Sequence, residues 1–404
     1  MINADEALRI ILDSVPPVRT EKLKLADAAG RTIAEEVVAS QNLPAFANSS
    51  MDGFAVRAAD LEGASSASSV TLSIAGEASA GKVFAGMLLP GSTVHIMTGG
   101  KLPQGADTVV PIESVKRKGK RVAFSSAPAT GEYVRLPGED VAAGDKVVSS
   151  GDLLGPAHLG ILASLGFARV RTAVRPHVRI LATGDELVKP ERSPGEGQIR
   201  NSTSYALMAH VRDAGGKPEF MGIVRDKVKK IQRSIREGLE SDILLITGGV
   251  SAGQYDLVRN VLERSAVDIR FHQVNIKPGK PMLFGMFDQT LIFGLPGNPV
   301  STGVTFLQFV RPAIRKMLGR SSLFPSQFTA ITDEPLSKKD GKRHFIRGIA
   351  RGDGGVIRVR TTGTQSSAVL SSLLKANCLI ILPEQTSAVP SGASVTIEFF
   401  RDPF

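Results

Sequence analysis

The chain has 404 residues, 42% of them hydrophobic and 22% charged, with a mean hydropathy of +0.04; that composition predicts an ordinary soluble protein of roughly two to four domains. No apolar run approaches bilayer length and no basic segment precedes an apolar stretch near the N-terminus, so export and membrane insertion are not expected and the cytoplasm is the expected location. The formal charge of +10 suits anionic partners, but the absence of Trp, the presence of only three Tyr and the lack of a basic stripe interleaved with aromatics argue against a nucleic-acid-stacking surface. A small polyanionic substrate accounts for the same sign of charge.

In chain order, apolar residues at Ala7, Leu8, Ile11, Leu12 and Val15 predict a helix over 4–15 that Asn3 can cap, with Glu6 three residues on and Pro16-Pro17 as the stop. Residues 23–38 form a second segment. Residues 41–57 read as loop, with Asp52 among small turn-forming residues, where a carboxylate is exposed at a tip or simply closes an Asx-type turn. Short β-type runs at 70–74, 93–97, 108–112 and 122–124 alternate with Gly and Pro and predict a small β-rich domain. Within it, Gly-Glu-Ala-Ser-Ala-Gly-Lys-Val (76–83) copies a phosphate loop up to its last position, but Val83 has no hydroxyl for Mg²⁺ and no clear helix follows, so that reading is rejected. The leucine-rich stretch 151–171 returns the chain to its first part.

Residues 178–319 alternate strands (178–181, 220–224, 243–246, 269–274, 291–293) with helices (202–214, 227–240, 256–264, 299–318), which predicts a doubly wound α/β domain. After Pro325 only short β runs remain, consistent with a small barrel. Cys378, the only cysteine, lies in the apolar run 378–382 and predicts a buried structural thiol; the six histidines show no zinc-ligand spacing.

Four apolar runs of the α/β part end in turns that carry glycine or charge. They lead into Ala-Thr-Gly-Asp-Glu (182–186), Thr-Gly-Gly-Val-Ser-Ala-Gly-Gln-Tyr-Asp (247–256), Lys-Pro-Gly-Lys-Pro (277–281) and Gly-Leu-Pro-Gly-Asn-Pro-Val-Ser (294–301). Open α/β sheets bind ligands at the carboxyl ends of their strands, and glycines let backbone amides approach an anion. Ser301 opens a helix whose free amides also attract anions. Lys277 and Lys280, held between prolines, present point charges with little motion left to freeze.

These motifs, in this order and spacing, resemble the MoeA family of molybdopterin molybdenumtransferases. Ser-Ser-Met-Asp-Gly-Phe-Ala-Val-Arg (49–57) and Gly-Glu-Asp (138–140) belong to the same pattern, and the resemblance spans essentially the whole chain. It implies an α/β plus β multidomain fold: an elongated discontinuous domain (1–40 and 141–175), an inserted β-rich domain (41–140), a doubly wound α/β molybdopterin-binding domain (176–319) and a C-terminal β-barrel domain (320–404). The implied reaction inserts molybdate into adenylated molybdopterin with Mg²⁺-dependent release of AMP. By the same resemblance Asp52, Thr98, Asp140, Glu186, Asp226 and Asp256 are catalytic, and Glu186, Asp226 and Asp256 share the Mg²⁺, although Arg225-Asp226 before a helix equally suits an N-cap. Thr183, Gly184, Asn201, Gly248, Gly249, Ser251, Gly297 and Asn298 hold the pterin adenylate, and Lys277, Lys280, Pro281, Ser301, Arg347 and Ser367 hold molybdate. Ser366 and Ala368 stand where many bacterial relatives have glycine, a departure that bears on Ser367. The implied partners are a second copy of the chain that contributes Asp52, a molybdopterin adenylyltransferase and recipient molybdoenzymes. Molybdopterin adenylyltransfer and a scaffold or carrier without turnover are the alternative activities.

Overall fold

The computed structural model describes residues 1–249 and 257–401. At its centre is a six-stranded sheet in the order Lys217–Val224, His177–Thr183, Ile243–Thr247, Thr290–Leu295, Leu283–Phe287, Asp268–Phe271. The first four strands run parallel. Every residue of Ile243–Thr247 is buried, which is why that strand reads as unbroken apolar sequence rather than an alternation. Leu245 joins the core on one face with Val211, Phe293 and Val304, while Leu244 and Ile246 join Ile231, Ile235 and Val258 on the other; helices therefore cover both faces, as a doubly wound domain requires.

Two details differ from the sequence reading. The run expected as strand over 269–274 is a strand only across Asp268–Phe271, and Leu283–Phe287 is an additional strand, antiparallel to both neighbours. A tight Asp288–Gln289 reversal between Phe287 and Thr290 makes that hairpin possible. The first helix, Ala4–Asp13, is capped as expected, Asn3 Oδ1 accepting from the Glu6 amide at 2.8 Å. Its buried residues Ala4, Ala7 and Ile11 pack into the α/β core beside Val310 and Ile314, so this helix joins the later domain in space.

The elongated part is built from both ends of the insertion. Thr20–Lys24 pairs antiparallel with Arg169–Ala173, and Val37–Val38 with Lys146–Val148, around Ile33, Leu154, Leu162 and Val170. The inserted part is a curled six-stranded sheet whose outer strands are Thr108–Pro111 and Val115–Lys118. Phe54 and Phe124 meet edge to face in its core. Gly76 lies inside the Val70–Ala78 strand and Ser79–Lys82 closes a tight bridge, so the phosphate-loop look-alike is a strand and a turn.

In the C-terminal part, Arg343–Asp353, Val356–Thr361, Gln327–Thr332, Ser394–Phe399 and Cys378–Leu382 close into a five-stranded barrel through pairing of the last with the first. Cys378 is buried in its core, and burial pushes its thiol up to about 12, the state of a structural residue. Several links fasten the barrel to the α/β domain, among them a strand and a buried ion pair. Ile276–Lys277 adds a parallel strand beside Arg343–His344, and the buried Arg311 donates to Glu398 at 2.6 Å. Among the described residues no helix is long and apolar enough to cross a membrane.

Candidate active site

At the carboxyl edge of the central sheet, a cleft of about 410 Å³ is lined by Thr183, Glu186, Asn201, Gly248, Gly249, Pro281, Gly297 and Asn298. The strand ends that form it are tied together: Thr183 Oγ1 donates to the Thr247 carbonyl at 3.3 Å, and the Gly248 amide donates to the Leu295 carbonyl at 3.3 Å. Gly184, next to Thr183, has a positive φ of 148° and adjoins the Glu186 carboxylate. The turns at Gly248 and Gly297 face each other so closely that a Cβ on Gly297 would lie 3.8 Å from the Gly248 Cα. Two backbone turns thus approach any occupant with no side chain between, the condition for amide contact with phosphate.

Asn201 is buried, and its side chain is spent on the helix that follows: Nδ2 donates to Ser204 Oγ at 3.0 Å and Oδ1 accepts from the Ser204 amide at 3.2 Å. It shapes the cleft wall by fixing the start of Thr203–Ala214. Asn298 does the reverse. It precedes the helix at Pro299 without capping it, and its Nδ2 reaches across to Ser367 Oγ at 3.1 Å. The barrel loop with Ser366 and Ala368 therefore still brings Ser367 to the rim of the cleft.

The carboxylates gather on one side. Glu186 lines the cleft, and the Asp226 amide donates to Asp185 Oδ1 at 3.4 Å. Partial burial and then the charges of Asp185 and Glu186 push the Asp226 carboxyl above its ordinary value. The alternative N-cap role for Asp226 is not what the chain adopts: Lys227 holds the cap position of Val228–Gly238, and no side chain bonds there. Among the described residues no three His, Cys, Asp or Glu side chains converge as a finished metal cage. Ser251 and Asp256 lie outside the described residues.

The anion-binding candidates divide. Pro281 lines the cleft and Ser301 is buried in the first turn of its helix. The lysine turn is anchored by buried Ile276, Met282 and Leu283, yet its charges face outward: Lys280 is exposed, and the Lys277 side chain is 60% exposed with Nζ 3.5 Å from Asp340. Arg347 is 1% exposed; its Nε donates to Ser372 Oγ at 3.2 Å and Nη2 to the Ser366 carbonyl at 3.2 Å. Burial lowers its guanidinium to about 10, which leaves it charged at neutral pH. Among the described residues it has no carboxylate partner within ion-pair distance.

Asp52, Thr98 and Asp140 do not line this cleft. On the inserted sheet, Asp52 Oδ1 accepts from both the amide and the hydroxyl of Thr98 at 2.7 Å, and the Thr98 backbone bond followed by its hydroxyl bond holds the carboxyl below its usual range. Asp140 borders a separate groove with Leu43, Asn48 and Arg135. Sequence reasoning singled out Glu186 but passed over its neighbour Asp185, although both stand in the same Thr-Gly-Asp-Glu turn. Ser372 and Asp340, which hold Arg347 and Lys277, carried no local signal at all.

Three family models match successive parts of the chain: the MoeA N-terminal region (domain I and II) over residues 2–166, a probable molybdopterin binding domain over 179–316 and the MoeA C-terminal region (domain IV) over 329–400. A Haemophilus influenzae protein named molybdopterin molybdenumtransferase is 37% identical over 406 residues, 99% of each chain. A Bacillus subtilis protein of the same name is 32% identical, over 99% of this chain and 94% of its own. The solved structure of a molybdopterin biosynthesis MoeA protein from Pyrococcus horikoshii OT3 matches with a TM-score of 0.84 and 31% identity, over 99% of this chain and 100% of that one. With a shared fold and more than 30% identity along its whole length, the chain belongs to the MoeA family.

Proposed function

We propose that this protein is a molybdopterin molybdenumtransferase of molybdenum cofactor biosynthesis, inserting molybdate into adenylated molybdopterin and releasing AMP. The observation that carries this reading is Arg347: a desolvated guanidinium with no carboxylate counterion among the described residues, held by a loop that meets the cleft at Ser367 and Asn298. A buried unpaired charge is costly, and an oxyanion in the same place would offset that cost. Because Arg347 belongs to the barrel, it favours metal transfer over adenylyl transfer, which the α/β domain could perform without a barrel.

The turns at Gly248 and Gly297 present backbone to the phosphates, and Asn201 and Thr183 shape the wall beside the pterin. Glu186 and Asp226, with Asp185 beside them and Asp256 as a further candidate, would hold Mg²⁺; the Asp226 carboxyl is raised first by burial and then by the charges of Asp185 and Glu186, and a hard cation would relieve the second cause. When bound, Mg²⁺ supplies neutralising charge at the phosphoanhydride. Asp52, ionised at neutral pH and held further below its ordinary range by its Thr98 bonds, is suited to orient water rather than to donate a proton. As Asp52 and Thr98 lie on the inserted sheet and not in the cleft, a homodimer in which the second copy supplies them completes the site. A molybdopterin adenylyltransferase would supply the substrate and molybdoenzymes would receive the product, all in the cytoplasm.

The test is AMP release by purified protein from adenylated molybdopterin and Mg²⁺, with and without molybdate. Release that depends on molybdate is expected. Adenylate formed from Mg-ATP and molybdopterin would instead mark an adenylyltransferase, and binding without cleavage a carrier.

The carboxylate cluster gives a second expected result. Because the folded-state value of Asp226 is raised, its contribution to stability is present below the unfolded value and lost as pH rises through the folded one. At pH 7.5 without Mg²⁺, Asp226→Asn should therefore raise Tm by on the order of 1 °C, and the difference should vanish near pH 3.5, below the ordinary Asp value. Millimolar Mg²⁺ should raise Tm of the parent protein and not of the variant, as read by thermal melts.

A further inference from the structure

Lys277 reaches the barrel twice. Its backbone pairs with His344 through the short parallel strand, and its ammonium lies 3.5 Å from Asp340 Oδ2. Asp340 is not a loose surface carboxylate. Its Oδ1 accepts from His344 Nε2 at 2.7 Å and from the Lys342 amide at 3.4 Å, while Lys342 Nζ stands 3.5 Å from Oδ2. Burial works against its charged form, but the His344 hydrogen bond and the neighbouring Lys342 hold the carboxyl well below the usual range. His344 is itself pushed down by burial, so at neutral pH it acts as a neutral donor from Nε2. The other nearby charges are already engaged: Lys338 donates to the carbonyls of Lys342 and Glu384, and Arg343 pairs with Asp5 and Glu384. Oδ2 of Asp340 is thus a fixed anionic oxygen aimed at the lysine of the Lys-Pro-Gly-Lys-Pro turn, and that lysine stands outside the cleft lining while Pro281, four residues on, is part of it.

We infer that Asp340 is a built-in counter-anion of Lys277, which an incoming tetrahedral oxyanion must displace, and that it thereby sets the oxyanion affinity of the site. This rests on the proposed molybdate transfer. A carboxylate and an oxyanion compete for one ammonium, so the ion pair subtracts from the affinity Lys277 can give. Asp340 is a positioning residue in this scheme and touches no reacting atom.

The full-length protein is titrated with molybdate by calorimetry, in the presence of a non-hydrolysable analogue of the pterin adenylate, as parent, Asp340→Asn, Lys277→Met and the double variant. Asparagine keeps an acceptor for His344, and thermal melts confirm that each variant folds. Asp340→Asn should bind molybdate about fivefold tighter, the worth of one partly exposed ion pair. Lys277→Met should bind more weakly, and in its background Asp340→Asn should have no effect, a coupling that a purely structural role would not produce. Unchanged or weaker binding by Asp340→Asn, or the same gain without Lys277, overturns the inference alone. A parent protein that binds no molybdate overturns the transfer reading and this inference with it.

Discussion

Gly248→Ala is expected to lower molybdate-dependent AMP release by about 100-fold while the chain still folds. The residue has φ +85°, and a Cβ built on it would lie 2.4 Å from the Thr183 carbonyl oxygen and 3.2 Å from Thr183 Oγ1. The left-handed conformation alone costs an L-residue about 1–2 kcal/mol, and the contact with a main-chain oxygen adds to it because no flexible side chain can turn away. Relief has to come from moving the Thr183–Gly184 strand end or the Gly248 turn itself. The first carries Glu186 with it and the second shifts the turn that faces Gly297, so either movement displaces groups lining the cleft, where under the proposed function tenths of an ångström count. Gly119→Ala is the control: its φ is also positive, at +61°, but nothing lies within 4 Å of the new methyl. That variant should lose about 1 kcal/mol of stability and keep its turnover. Steady-state kcat/KM alongside thermal melts separates the two, and a Gly248→Ala protein of unaltered turnover would remove this turn from the site.

The contrast shows which parts of the molecule a sequence can announce. Ile243–Thr247 is legible because a strand covered on both faces has to be apolar throughout, and the glycines after it are legible because the turn has a sterically narrow solution. The Asn3 cap is equally local and appears as written. Leu283–Phe287 is not legible, because an apolar stretch of that length after a lysine turn carries no mark of direction; only the hairpin to Thr290–Leu295 decides it. The first helix shows a correct period but not its partner, since an apolar face fits any core and this one lies on the α/β domain. The same limit governs the site. Lys277 and Arg347 could be chosen by motif, but their states depend on Asp340 and Ser372, which are 63 and 25 positions away and typical of any polar surface until the barrel closes. Loss of glycine at Ser366 and Ala368 narrows the conformations by which the loop can approach the cleft. The loop reaches it, because the Arg347 bond to the Ser366 carbonyl and the Asn298 bond to Ser367 fix its course without a left-handed residue at either position.

Replacing Arg347 by methionine is expected to weaken molybdate binding by about 10- to 100-fold, the worth of one or two charge-assisted hydrogen bonds, and to leave stability unchanged or raise it. Most substitutions of a buried side chain destabilise, so the second half of the expectation is the discriminating one. The guanidinium is charged below about 10 and bears its desolvation at every working pH, while its bonds go to a hydroxyl and a carbonyl rather than to a carboxylate. Methionine fills similar volume without a charge, and exchange of a buried charge for a packed apolar side chain is often neutral or stabilising. The partners it abandons are not orphaned in full, because Ser372 Oγ also donates to the Val369 carbonyl at 2.7 Å. Lysine should not rescue, since a single ammonium cannot reproduce the planar fork that meets both Ser372 and Ser366. If Arg347 were a structural strut, Arg347→Met would lose several degrees of Tm and bind the oxyanion normally once folded. If it is held buried for an anion, Tm stays or rises and the KM for molybdate increases, with little change in the affinity for the pterin adenylate.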